Sequence, residues 1–521
     1  MREVHIAQAG PQGGAAPDSP PPGRLERLQA AFGRLRQVLA GPWWVAGIAW
    51  AIATTLLLFI NDRWFARWPY ETLEAVLPEI GVAGLVAGIL VLFGTYLRAY
   101  EPDVARSPRH RYLLAMVVLS YLGLVLLLRT VGAPPALNPL PAVAMLLAVF
   151  VNWRVAIAAT VAVAVPLALM PWQGAMFLLV GLAGSWVGIV SVRRIRERWD
   201  VGKAGIRAGL AMALGMALAG PLVGTWELEA WVRNLGLAAL SGPIAAVLVM
   251  GVLPYLERLT GITTAFTLLE LANPAQELLR HLLLKAPGTY HHSILVGNLG
   301  EAAAEAIGAD PLLVRVGAYY HDIGKTKRPY FFIENQQGMG NQHDNISPRL
   351  SSLVITAHVK EGIELARQYR LPQQVADFIP MHHGCSLVAY FYHKATQSEG
   401  VEEVEEEHYR YPGPRPNTKE TAIVMLADGI EATTRTLTRP MPEQIEATVR
   451  RIINKRLGEG ELSEAPLTLQ EIEKIIQAFL RVLLGLYHQR IEYPDQVQER
   501  EEKARLQEGR KERKRVGGAG R

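Results

Sequence analysis

The chain has 521 residues, half of them apolar, and a formal net charge of +5 from 53 Lys and Arg against 48 Asp and Glu. That length suits two or three domains, and a single cysteine, Cys385, excludes a disulfide framework and a thiolate metal cluster, leaving His, Asp and Glu as metal ligands. The positive balance does not mark a partner for nucleic-acid polymers, because the arginines gather beside apolar runs, as in the cytoplasmic loops of membrane proteins.

Residues 1–42 contain the Pro- and Gly-rich run "PQGGAAPDSPPPG" and several arginines, which predicts a disordered, basic, cytoplasmic segment. A cleaved signal peptide is not expected, since the first apolar run begins only at residue 43 and is long enough to span. Residues 43–256 are expected to form a polytopic helical membrane domain. A span needs roughly 20 apolar residues to cross about 30 Å of hydrocarbon. Eight segments qualify: 43–61, 80–98, 112–130, 138–152, 154–171, 174–192, 205–224 and 235–256, give or take one, because the short fourth can pair with the fifth as a helical hairpin.

Positive charge clusters at Arg24, Arg27, Arg34 and Arg36, at Arg98, Arg106, Arg109 and Arg111, and at Arg193, Arg194, Arg196, Arg198 and Lys203. If the spans alternate, all three clusters share one side, while Asp62, Glu71, Glu74, Glu79, Glu227 and Glu229 fall on the other, with Arg63, Arg67 and Arg129 as exceptions. The positive-inside rule then makes both termini cytoplasmic in a multi-pass protein of the cell membrane. Trp43, Trp44, Trp64, Trp68, Trp153, Trp172, Trp226 and Trp231 near the span ends read as an interfacial belt. No Asp, Glu or Lys lies in mid-span, so a proton or ion pathway lacks a residue to run on.

Residues 257–494 hold most of the charge and nearly all the histidine, and from 265 the apolar spacing is helical, which predicts an all-α soluble domain. Asn273 with Pro274, and Ser347 with Pro348, are expected to open helices. Gly324 and Gly384 follow apolar helical stretches, where C-terminal caps are expected. The tail 495–521 is charged throughout and ends basic, reading as a solvated helix, with contact to anionic lipid as the alternative.

Within this domain His291 and His292 begin one helix, His321 and Asp322 end another, and His358 lies mid-helix. His382 and His383 end a further helix, and Asp428 sits in the apolar run "AIVMLADGI". Each alone is a weak signal. Together they are not, because burying a lone carboxylate costs several kcal/mol unless it is paired or bound to metal, and His-rich clusters with carboxylates suit Mn2+, Fe2+ or other borderline metals. An adjacent His-Asp pair can serve two cations about 3.5–4 Å apart, a device for phosphate-ester hydrolysis. Lys325 is a candidate point charge for a substrate phosphate, with His343 of "NQHDNISP" and Arg435 as further substrate contacts. Cys385 has no dedicated activating base and reads as packing.

The order His, His-Asp, His, His-His, Asp resembles the HD-domain metal-dependent phosphohydrolases. The stretches "LLLKAPGTYHHSILVGNL", "RVGAYYHDIGKTKRPYFFIENQ", "HDNISPRLSSLVITAHVKEGIELA", "IPMHHG", "RYPGPRPNTKETAIVMLADGIEATTR" and "LTLQEIEKIIQAFLRVLLGLYHQRIEYP" look like the PgpH-type, seven-transmembrane HD proteins, from about 265 to 494. The resemblance implies a cytoplasmic, membrane-anchored phosphodiesterase that cleaves cyclic di-AMP to pApA through a paired-metal site and a metal-activated hydroxide. Carried over residue by residue, the metal ligands are His292, His321, Asp322, His358, His382, His383 and Asp428, with Asp322 as the bridge. Asp322, and Lys325 as the phosphate-holding point charge, are the expected catalytic residues. The implied partners are a cyclic dinucleotide and the bilayer, with homodimerisation left open. The chain departs from the family between the first two spans, where only Asp62 to about Glu79 stands in place of a sizeable extracellular domain. Two alternatives stay open: hydrolysis of cyclic di-GMP or an alarmone, although the "GYP" signature is absent, and a non-catalytic nucleotide-binding membrane receptor.

Overall fold

The structure, a computed structural model, describes residues 77–486 apart from 169–173, 194, 196, 224–226, 337–339, 400–403 and 438–439. The predicted leader, the first span at 43–61 and the charged tail at 495–521 lie outside the described residues. The chain divides into two compact units, Met1–Thr264 and Ala265–Arg521.

The first unit is a set of apolar helices: α1 (Leu77–Tyr100), the short α2 (Pro102–Arg106), α3 (Pro108–Thr130), α4 (Leu140–Phe150), α5 (Trp153–Ala168), α6 (Gly174–Ser191), α7 (Trp199–Val223) and α8 (Leu228–Thr260). Seven of the eight predicted spans thus fall on helices, and the fourth and fifth are separated by only Val151 and Asn152. The break is capped from within: Asn152 Oδ1 accepts from Val155 N at 2.9 Å, and its Nδ2 donates to Glu101 at 2.9 Å. By length and composition, Pro108–Thr130, Trp199–Ala219 and Leu228–Thr260 are long and apolar enough to cross a membrane; Gly84–Tyr100, Leu140–Phe150, Trp153–Ala168 and Leu179–Ser191 are shorter apolar helices among the described residues.

In lipid, helices associate through small residues that let backbones touch, and α7 and α8 do so. A Cβ on Gly242 would come within 2.1 Å of Gly205 O and 2.2 Å of Gly209 N. A polar clasp adds to this. Ser241 Oγ accepts from Asn138 N at 3.0 Å and donates to Ala136 O at 3.1 Å or Leu237 O at 2.9 Å, tying the α3–α4 connection to α8. α8 itself runs four residues past the predicted span end at 256, to an αL glycine cap at Gly261.

The second unit comprises α9 (Ala265–Leu271), α10 (Glu277–Lys285), α11 (Pro287–Ile307), α12 (Pro311–Tyr320), α13 (Pro348–Gln368), α14 (Gln373–Ala376), α15 (Phe378–Met381), α16 (Ala389–Glu399), α17 (Lys419–Thr434), α18 (Pro442–Gly458) and α19 (Leu469–Leu486). Among the described residues its only β pairing is one isolated bridge, Leu387 to Arg410, so the all-α expectation is borne out. α12 is central. Its Val314 and Ala318 enter a core with α11, α17, α18 and α19, while Val316 and Tyr320 on the opposite face enter a second core with α10, α13 and α15. Asp310 starts this helix, its carboxylate accepting from Leu312 N and Leu313 N, and its far end delivers His321 and Asp322 between the two cores.

Of the predicted caps, Ser347 holds, its Oγ accepting from Leu350 N at 3.3 Å ahead of Pro348. Asn273 does not open a helix. Its Oδ1 accepts from Ala275 N at 2.9 Å in a turn, and α10 begins only at Glu277. Gly384 is left-handed at φ 55°, but it stands two residues beyond His382, which caps α15, and its N–H donates to Met381 O at 3.1 Å in the following turn. Gly324 is no cap. It lies inside the 3₁₀ turn Ile323–Lys327, where a Cβ would sit 1.8 Å from His358 O and 2.6 Å from Gly362 N. Glycine is needed there so that this turn can lie against the backbone of α13.

Candidate metal centre

Five helices bring the sequence-predicted ligands together. α11 supplies His292 in its second turn, the end of α12 supplies His321 and Asp322, α13 supplies His358, the end of α15 supplies His382 and His383, and α17 supplies Asp428. Two donor groups result, His292–His321–Asp322–Asp428 and His358–His382–His383, with ligand atoms within 4.8 Å of one another in each group. His291 faces away and is exposed.

Both carboxylates straddle the two groups. Asp322 Oδ2 lies 3.2 Å from His321 Nε2 and 3.7 Å from His292 Nε2, while Oδ1 lies 3.4 Å from His358 Nε2 and 3.6 Å from His382 Nε2. Asp428 Oδ1 is 3.0 Å from His292 Nε2 and 3.8 Å from His321 Nε2, and its Oδ2 is 3.8 Å from His383 Nδ1. The remaining nitrogens are held from behind: His321 Nδ1 by Ala318 O at 2.6 Å, His358 Nδ1 by Ile355 O at 2.6 Å, and His382 Nδ1 by Ile379 O at 2.8 Å. His292 Nδ1 is held by the Glu431 carboxylate.

Charge is arranged to match. Burial alone would raise the Asp322 pKa, but the His321 imidazole and the Lys325 ammonium hold it well below the usual carboxylate range. Asp428 is likewise held low, against burial, by His292 and His321. Burial would lower His321 and His292, yet the facing carboxylates raise His321 to about 10 and His292 to about 8. Burial lowers His358, His382 (to about 3) and His383, with neighbouring imidazoles and ammonium adding to the effect. At neutral pH one group therefore presents free imidazole lone pairs, and a cation entering the other displaces protons.

The residues fit a divalent cation centre. His321 Nε2 and Asp322 Oδ1 are fully buried and make no hydrogen bond, an expensive arrangement for groups that nothing else engages. The donors are imidazole nitrogen and carboxylate oxygen, the chemistry of borderline and harder divalent ions. Exposure gives the direction of approach: the side chains of His383 and Asp428 retain 17% and 12%, whereas His321 and Asp322 retain 0% and 1%.

Lys325, the candidate phosphate-holding charge, is paired within the chain. Its ammonium lies 2.7 Å from Asp322 and 3.0 Å from Glu334, over the Phe332 ring. Replacing it by methionine leaves two buried carboxylates without their cation, and removing one partner of such a pair costs about 3–5 kcal/mol. A lowered melting temperature of the metal-free Lys325→Met chain is the expected result. His343 packs its ring against Phe331 and Phe391 with Nε2 hydrogen-bonded to Phe331 O at 2.8 Å. Arg435 is exposed just past the end of α17 and neither donor group includes it. Cys385 lies within the turn after the histidine pair, its N–H donating to buried Glu461 at 3.0 Å.

Sequence reading missed three residues. Glu431 and Glu334 are the carboxylates behind His292 and Lys325, and Tyr411 stacks on His383 with ring centroids 4.1 Å apart. Glu431 was findable, being a second acid one turn after Asp428 on the same buried helix.

Comparison with known proteins points the same way. A family model described as a 7TM receptor with an intracellular HD hydrolase matches residues 76–264, and an HD-domain model matches residues 289–433. The chain is 40% identical over 374 residues to the cyclic-di-AMP phosphodiesterase PgpH of Bacillus subtilis, covering 69% of this chain and 51% of that one. It is 46% identical over 261 residues to the protein of that name from Listeria monocytogenes, covering 50% and 36%. The chain carries both family models, the membrane part followed by the HD domain, and is similar to the PgpH proteins. It spans about half the length of the first PgpH relative and about a third of the second. A crystal structure of the L. monocytogenes PgpH HD domain with cyclic di-AMP is 46% identical, covering 42% of this chain and 99% of that one at a TM-score of 0.39. The match to the 7TM-type model and the apolar helices make the chain a membrane protein.

Proposed function

We propose that the chain is a membrane-bound phosphodiesterase that hydrolyses cyclic di-AMP to pApA at a centre of two divalent ions, Mn2+ or Fe2+. His292, His321, Asp322, His358, His382, His383 and Asp428 would hold them, the two oxygens of Asp322 facing the two donor groups. The observation that carries this reading is the division of seven donors, all buried but the half-buried His383, into two groups that share two carboxylates. The substrate is taken from the printed names of the PgpH relatives.

When bound, such ions supply Lewis acidity towards the phosphodiester and a hydroxide nucleophile at neutral pH. The chain's own residues prepare that chemistry. Asp322 and Asp428 stay ionised because imidazoles and Lys325 face them. Lys325 offsets the charge gathered around Asp322 and Glu334. His383 and Asp428 stand at the open side, where a phosphate would arrive. Loop charge supports a membrane domain at 43–256 with about eight spans in the cell membrane, both termini and the HD domain at 257–494 being cytoplasmic.

The test is a substrate panel with the 521-residue chain in lipid nanodiscs and Mn2+. Faster turnover of cyclic di-AMP than of cyclic di-GMP or guanosine tetraphosphate supports the reading. Preference for either of the others reassigns the substrate, and binding of cyclic di-AMP without turnover makes the chain a receptor.

A further inference from the structure

We infer that Glu431 is a positioning residue of the cation centre, accepting the Nδ1 proton of His292 and thereby aiming Nε2 at the space shared with Asp322 and Asp428. This deepens the proposed function and rests on the metal-centre reading. Glu431 lies on α17, one turn beyond Asp428, and is 4% exposed. One helix thus supplies both a ligand and the hold on a second ligand from another helix.

His292 differs from the other three ligands in the acceptor that its Nδ1 meets. His321 and His382 follow the last residues of α12 and α15, and their Nδ1 atoms take carbonyls of the turns just completed. Carbonyls are the unsatisfied groups at that end of a helix. His358, in mid-helix, also uses the carbonyl three residues back. His292 lies in the second turn of α11, close to the end where N–H donors are unsatisfied. Its Nδ1 meets the Glu431 carboxylate instead. Of the four, only this hold carries a full negative charge, and a carboxylate behind a metal-ligating imidazole fixes its tautomer and raises its basicity.

The test compares parent, Glu431→Gln and Glu431→Ala as full chains in nanodiscs, titrated with Mn2+ and followed by electron paramagnetic resonance, with melting temperatures alongside. Removing such a partner typically costs about 10–100-fold in metal affinity. The expected result is weakened binding of one ion of two, with Glu431→Gln, which keeps an acceptor oxygen, retaining part of what Glu431→Ala loses. Parent affinity for both ions in the isosteric Gln variant overturns the inference, as does a fall in melting temperature with binding unchanged. If Glu431→Ala fails to fold, the Gln variant decides alone. A parent that binds no Mn2+ overturns the metal-centre reading itself, and this inference with it.

Discussion

Asp322→Ala is expected to lower phosphodiester turnover by about 10²–10³-fold or more, 10²–10³ being the scale lost when one stabiliser of transition-state charge is removed, and to empty both cation positions together. Asp322 places one oxygen against His321 and His292 and the other against His358 and His382, so its loss reaches both donor groups. His383→Ala, which removes a donor from one group, is expected to leave the other ion bound. Elemental analysis distinguishes the two variants. An Asp322→Ala chain that keeps two ions would remove Asp322 from its bridging place, whatever its activity.

Gly324→Ala is expected to be the most damaging change outside the ligand residues themselves. The added methyl would meet the carbonyl oxygen of His358 at 1.8 Å and the amide nitrogen of Gly362 at 2.6 Å. Overpacking ordinarily costs about 1–3 kcal/mol, occasionally more. Here the displaced atoms are backbone, which cannot rotate away as a flexible side chain would, so the upper end applies. The carbonyl belongs to a ligand residue, so the same shift moves His358. A large fall in melting temperature and weaker binding at the imidazole group are expected. An unchanged melting temperature would mean that this turn and α13 are not in close approach.

What was legible in the sequence follows from which interactions are local. The helical period, Ser347 before Pro348, and Asp428 in an apolar run are all short-range signals, and the structure puts each where the pattern suggests. Asn273 before Pro274 misled because an Asn–Pro pair suits a turn as well as a helix start, and α10 begins three residues after Pro274. Gly324 misled for a different reason. The contact that demands glycine is with residues 34 and 38 positions later, Gly324 against His358 and Gly362, and nothing nearby announces it. The partner of Lys325, Glu334, lies nine residues on across further 3₁₀ turns, so a paired lysine read as a free one. Glu431 was in plain view, since the argument that singled out Asp428, a carboxylate that burial would penalise, applies equally to the acid one turn later.

The decisive measurement is the formation of pApA from cyclic di-AMP by the 521-residue chain in nanodiscs, followed by chromatography through a cycle of Mn2+ loading, chelation and reloading. Product that appears, stops on chelation and returns on reloading is the expected result. Hydrolysis that continues after both ions are stripped, or two bound ions with no cyclic di-AMP consumed, would contradict a paired-metal phosphodiesterase.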